Sequence, residues 1–343
     1  MERSTPRKYT LLFIALLLLA STLFLADIFF GSLAIPSREV WGALVGQETV
    51  PYAVEQIVLY FRIPKAIVAV LVGVSLAISG LQMQTVFRNP LADPYVLGIS
   101  SGAGLGVALF VLGAGFWAAT GAAIWVKNFG MAAAGWAGAM LILGLILGVS
   151  VRLRNTMTIL IFGIMIGGAA SAVIGMLQYL SAASALKSYV LWTMGSFSNV
   201  SPPQLSLLSI SVLAGLLLAV LSAKNLNVLQ AGDMYAQSIG MNVRRARSVI
   251  FISAGLLTGS VTAFCGPIGF IGIAVPHVAR MIFRNANHGV LIPASILIGA
   301  CTMLLCDILS QWPGSGRVLP INTITALMGI PVILFIIFRN QRG

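Results

Sequence analysis

Charge is what this sequence has least of. Asp, Glu, Lys and Arg make up 8% of its 343 residues, where soluble domains carry about 25%. With 59% of the chain hydrophobic, a water-exposed surface could not be built, and the solvent for most of the chain has to be lipid. Acids are the scarcer sign. Glu2, Glu39, Glu48, Glu55, Asp93 and Asp233 fall between apolar runs, and Asp27 and Asp307 fall near run ends. Proton or sodium coupling usually needs carboxylates or imidazoles inside the spans. This distribution argues against an ion-coupled secondary transporter, which stands as the alternative class. Histidine is nearly absent, and His277, beside Pro276, reads as a hydrogen-bonded packing residue. The three cysteines, Cys265, Cys301 and Cys306, have no CxxC spacing and no histidine at ligand distance, which leaves neither a disulfide framework nor a metal site. None of the five lysines follows a glycine, so there is no GxxxxGK[ST] phosphate loop, and any ATP has to be hydrolysed on another chain. No nucleophile–base pair or carboxylate pair stands at catalytic spacing, so the chain reads as a non-enzyme.

What is present is apolar sequence from end to end. About ten candidate spans cover residues 10–30, 64–86, 96–116, 130–151, 157–180, 204–222, 248–265, 268–283, 291–308 and 319–338. They lack period-2 alternation, so they are helices and not barrel strands. The first run follows Arg3, Arg7 and Lys8 and is long enough to span, which reads as an uncleaved first helix. The net charge of +12 does not point to nucleic acid, because the basic residues sit in short clusters between spans. With both termini inside, fourteen of the twenty basic residues fall on the inner side, in line with the positive-inside bias. The weakest span is 268–283, which is short and holds Pro276; making it cross preserves that bias. Small residues recur at four-residue spacing, as in Gly98/Gly102/Gly106, Gly144/Gly148, Gly163/Gly167 and Gly255/Gly259, and such faces let helices approach closely in lipid.

No polar block is large enough for a second domain, so residues 1–343 read as a single transmembrane unit. Residues 31–63, with Pro36, Trp41 and Pro51, suggest a short interfacial helix on the outer side. Residues 223–247 form the longest inner loop, with a helix-like stretch from Asp233 to Ile239 ended by Gly240. A mere connector could be much shorter, so this loop reads as a docking surface for a cytoplasmic partner.

Four segments carry a family resemblance: RNPLADPYVLGISSGAG at 88–104, YAQSIGM at 235–241, CGPIGFIGIAVPHVAR at 265–280 and LPINTITALMGIP at 319–331. In this order, over nearly the whole chain, they resemble the FecCD-type permeases of bacterial iron–siderophore, haem and vitamin B12 ABC importers. The resemblance implies a type II importer permease fold of ten helices in the bacterial inner membrane, with both termini cytoplasmic. It implies two such subunits, two cytoplasmic ATPases holding ATP and magnesium, and a periplasmic or lipid-anchored binding protein. No cofactor is implied on this chain. The cargo is a metal chelate, ferric siderophore or haem first and cobalamin otherwise.

Roles follow by resemblance, residue by residue. Asp233, Tyr235, Ala236, Gln237, Ser238, Ile239, Gly240 and Met241 match the ATPase-coupling segment. Arg62 and Lys65 match a basic pair that meets the binding protein; exposed rim charges of that kind orient a partner and speed docking, and anchoring at the lipid headgroups is the other reading of the pair. A third basic contact of some relatives falls near Gln311, with Arg317 close by as its substitute. Asn155 and Thr156 match the inner constriction before the fifth span, and Gly163, Met165, Gly167 and Ser171 of that span are candidates for the pathway wall.

Overall fold

The computed structural model describes residues 6–113, 123–152, 156–311 and 318–340; Asn155 and Arg317 lie outside these. All regular structure among the described residues is helical. The helices are α1 (Pro6–Phe29), α2 (Ser37–Val45), α3 (Tyr52–Ile57), α4 (Ile63–Val86), α5 (Ile99–Val111), α6 (Ala123–Arg152), α7 (Thr156–Leu180) and α8 (Ala183–Thr193). They continue as α9 (Pro202–Leu221), α10 (Ala223–Gln230), α11 (Asp233–Ser238), α12 (Val243–Cys265), α13 (Ile271–Phe283), α14 (His288–Ser310) and α15 (Ile321–Asn340). Among the described residues seven helices are long and apolar enough to cross a membrane, and the shorter apolar helices at 99–111 and 271–283, with the apolar stretch 321–334 of α15, make up the ten expected.

At the centre stands α4. Along its most apolar stretch 83% is buried in the chain, against 11% for α1. The sequence permits this because Ala66, Ala69, Gly73, Ala77 and Gly80 lay a strip of small residues along it. Against that strip pack α12, α13 and α14, with Gly73 facing Gly299 and Gly80 facing Gly272, backbone on backbone. Buried polar residues add directional bonds. Gln82 Nε2 donates to Ser253 Oγ at 2.9 Å, and Ser253 donates on to the Gly215 carbonyl at 2.7 Å, joining α4, α12 and α9. In lipid such bonds supplement packing where no hydrophobic force acts between helices.

Helical segments 52–57 and 63–86 are joined through a π turn at Val58–Arg62. Pro64 has no N–H to give the preceding turn, and the ladder widens just before it. The 31–63 region therefore holds two short helices where one was expected. Trp41, Tyr52, Tyr60 and Phe61 stay exposed there, as aromatic side chains do at a membrane–water boundary.

Two segments that read as ordinary span ends or loops lie inside the protein. Asp93 falls in a loop, as the sequence suggests, but that loop is buried, and a Cβ added to Gly272 would meet both its carboxylate and the Leu76 carbonyl at 3.3 Å. Leu76 lies ten residues before Val86, so the 87–98 segment folds back along α4 by about 15 Å at 1.5 Å per residue. Between α12 and α13 the chain unwinds over 266–270, with positive φ at Gly266 (80°) and at Phe270 (71°). Non-helical backbone at such depth has to be satisfied by protein. The Tyr95 hydroxyl accepts from Ile268 N at 2.5 Å and donates to Ile268 O at 2.7 Å, while Asn322 Oδ1 accepts from Gly269 N at 3.2 Å. Three of the four family-like segments thus meet at one junction.

Candidate coupling, docking and pathway sites

The ends of the bundle are defined by their contacts. One end gathers the start of α1, where Tyr9 accepts from Asn285, with the end of α4, the starts of α7, α12 and α14, and the 223–242 segment. The other gathers the end of α1, the start of α4 and the end of α14.

At the first end, α10 is pinned through one imidazole. His288 Nδ1 and backbone N both reach Asn227 Oδ1, at 2.7 and 2.8 Å, and Nε2 lies 2.8 Å from Thr85 Oγ1. Sequence reading left His288 in a loop and treated His277 as the hydrogen-bonded histidine. The structure reverses this: His288 is 1% exposed and fully engaged, whereas His277 Nδ1 has no hydrogen-bond partner. His288 was missed because its partners lie 61 and 203 residues away in sequence.

Beyond α10 the chain turns at Gly232 into the six-residue α11. Its end is a Schellman motif: Met241 N donates to Ala236 O at 3.0 Å and Gly240 N to Gln237 O at 3.0 Å. Gly240 takes φ 84°, with nothing within 4 Å of a Cβ added there, so glycine is needed for backbone conformation and not for space. Ala236 is the buried foot of this unit, while Met234, Tyr235 and Ile239 are exposed, Met234 by 88%. Gln237, Ser238, Gly240 are exposed as well, and Met241 is half-buried. Asp233 turns inward to a salt bridge with Arg247, whose Nη2 also donates to Thr156 Oγ1 at 2.7 Å. Arg247 had been counted only as one of the inner-side charges.

At the opposite end the basic pair is not an exposed rim. Arg62 is 6% exposed; it donates to Ile28 O at 2.9 Å, Phe29 O at 3.0 Å and Leu33 O at 2.7 Å. It satisfies the carbonyls left unpaired where α1 ends. Lys65 forms a salt bridge to Asp307 at 3.0 Å with both side chains largely buried, and Gln311 Nε2 joins Asp307 and Asp27, each at 3.1 Å. The premise of solvent-exposed charges fails because the π turn puts Arg62 on the buried face beside Val58. Both residues nonetheless border a cavity of about 640 Å³ that opens at this end between Leu33, Tyr60, Phe61, Asn199 and Val318.

The residues expected along the pathway divide. Gly163 and Gly167 pack inward: a Cβ on Gly163 would lie 2.9 Å from Leu97 Cα, and one on Gly167 3.3 Å from Ser101 Oγ. Thr156 is buried in the Arg247 contact. Met165 and Ser171 point away, Met165 with 69% exposure, and Ser171 donates to Gly167 O at 2.9 Å. With Ile161, Ile164 and Met176 they give α7 a broad apolar face that no described residue covers. The other glycine pairs also divide. Gly102 and Gly106 meet the α6 backbone, and Gly255 and Gly259 meet α6 side chains, whereas a Cβ on Gly144 or Gly148 would meet no described atom within 4 Å.

Comparison with known proteins agrees with this architecture. The sequence profile of the FecCD transport family matches residues 16–339. The hemin transport system permease protein HmuU of Yersinia pestis is 36% identical over 327 residues, 95% of each chain. The vitamin B12 import system permease protein BtuC of Klebsiella pneumoniae is 35% identical over 284 residues, 82% of each chain. Among solved structures, a metal-chelate type ABC transporter in an inward-facing conformation superposes with a TM-score of 0.80 at 26% identity, covering 96% of this chain and 99% of that one. With ten apolar helices among the described residues and these similarities along almost its full length, the chain belongs to the FecCD transport family.

Proposed function

We propose that this chain is the permease subunit of an ABC importer that moves a metal chelate inward across the bacterial cytoplasmic membrane. Haem, ferric siderophore or cobalamin is the cargo, haem or ferric siderophore first. The observation that carries the reading is the α11 unit. Its exposed Met234, Tyr235 and Ile239 on a Schellman-closed helix suit insertion into a cleft of a cytoplasmic partner. The chain has no phosphate loop of its own, so that partner supplies ATP hydrolysis, with magnesium, on a separate subunit. The end carrying Arg88, Arg152, Arg244, Arg245 and Arg284 faces the cytoplasm, as the positive-inside bias requires, and both termini lie there. The face of α7 that no described residue covers suits the axis of a pair of permease subunits, where Met165 and Ser171 border the path. Arg317 and the cavity beside Arg62 and Lys65 belong to the face that receives the loaded binding protein. An ion-coupled mechanism finds less support, since Asp27 and Asp307 are engaged with Lys65 and Gln311.

Gly240→Trp tests the coupling site. Left-handed backbone disfavours any Cβ by about 1 kcal/mol, and the indole would occupy the surface offered to the partner. The chain should fold, because nothing in it stands within 4 Å of the added Cβ. Co-purification with the co-expressed ATPase subunit should fall at least about tenfold, a loss of roughly 1.4 kcal/mol. Undiminished co-purification would place the coupling surface elsewhere.

A further inference from the structure

The link from α11 to α7 through Arg247 of α12 does not follow from family membership. Asp233 opens α11, Arg247 lies one turn into α12, and Thr156 is the first residue of α7. A single guanidinium nitrogen, Arg247 Nη2, bridges the Asp233 carboxylate and the Thr156 hydroxyl. The Arg247 side chain is 4% exposed and that of Asp233 25%, so the bond to Thr156 is buried and the bond to the carboxylate partly so; charge-assisted hydrogen bonds are strongest where water is excluded. Around them the two joined elements are lightly held. Helix α11 is six residues long with Ala236 as its buried residue, and only 17% of the most apolar stretch of α7 is buried in the chain.

We propose that Asp233–Arg247–Thr156 is the linkage that carries displacement of the coupling helix into α7, with Arg247 as the positioning residue. The inference rests on the permease reading above. A short helix that moved without such a tie would leave α7 behind, because α11 has its other contacts with α10 and the α12 start. The buried guanidinium makes the two ends respond together: shifting the carboxylate drags the charge, and the charge carries the hydroxyl. Threonine at the α7 start supplies an acceptor where alanine or valine would serve equally for packing in lipid.

The test uses the assembled importer, with permease, ATPase and binding protein in liposomes, comparing Thr156→Val with Thr156→Ser. Valine keeps the shape and removes the acceptor; serine restores it. The readout is chelate moved per ATP hydrolysed, which a change in fold stability alone would not alter. Thr156→Val should lower this ratio by about tenfold, within the usual range of coupling between sites, while ATP hydrolysis persists and Thr156→Ser restores the ratio. An unchanged ratio in Thr156→Val would overturn the linkage. Should valine prevent folding, Asp233→Ala cuts the other arm, and the same loss of ratio is expected. A second readout needs no ATPase and so separates failure of the linkage from failure of the permease reading. In the isolated permease in nanodiscs, with spin labels at Gln237 and Met157, the distance distribution should be narrow in the native chain and broad in Thr156→Val. Equal widths would overturn the proposal even if no ATPase partner were found.

Discussion

Gly80→Val should yield no monodisperse protein from detergent, whereas Gly144→Val should behave as the native chain does. Both glycines lie in apolar helices and both substitutions add the same apolar bulk; what differs is the neighbour. A Cβ on Gly80 would stand 2.0 Å from the Gly272 carbonyl oxygen and 2.5 Å from its Cα, while one on Gly144 meets nothing within 4 Å. Overpacking a core typically costs about 1–3 kcal/mol because side chains can turn aside. Backbone cannot turn aside, so α4 and α13 would have to separate. Separation would also break the bonds of Gln84 Nε2 to the Gly272 and Ile273 carbonyls, at 3.3 and 3.2 Å, and its contact with Arg280. Size-exclusion profiles of the two variants side by side decide the matter. A folded Gly80→Val would mean that α4 and α13 are not in contact at this point.

Lys65→Met should be the most damaging change at the other end of the bundle. Lys65 is the cation in direct contact with Asp307, itself 1% exposed, and Asp27 at 3% exposure shares Gln311 with it. Removing one partner of a buried pair costs about 3–5 kcal/mol, because the remaining charge stays desolvated. The double variant Lys65→Met with Asp307→Leu removes the stranded charge along with its partner and should recover most of that loss, as buried pairs exchanged for apolar residues often do. The midpoint of thermal unfolding in detergent reads both. A single variant as stable as the native chain would show the carboxylate to be solvated after all.

Ten helices were legible in the sequence because each is a run of apolar residues long enough to cross or nearly cross lipid, and such runs survive any tertiary arrangement. The two short ones, α5 and α13, were also the runs broken or flanked by Gly and Pro. The coupling segment was legible for a local reason: Gly240 closes a helix by its own backbone conformation, which needs no distant partner. Arg62 was misjudged because its role depends on three carbonyls about thirty residues earlier in the chain and on a π turn that no propensity announces. The burial of Asp93 was not legible because a re-entrant segment has the composition of a surface loop; Tyr95 and Asn322, which satisfy the unwound backbone at 268–269, come from segments 173 and 53 residues away. Arg247 shows the same limit. Its charge was counted, but its partner Thr156 lies 91 residues off, and one-dimensional spacing carries no trace of that meeting.

The central claim is that this chain imports a chelate at the expense of ATP hydrolysed on another subunit. The most direct measurement is ATPase activity of the reconstituted permease–ATPase complex in liposomes, with and without binding protein, across haem, ferric siderophores and cobalamin. The account predicts hydrolysis stimulated by one loaded binding protein, together with accumulation of that chelate on the side of the ATPase. Chelate uptake that continues without ATP and collapses with the proton or sodium gradient would contradict it.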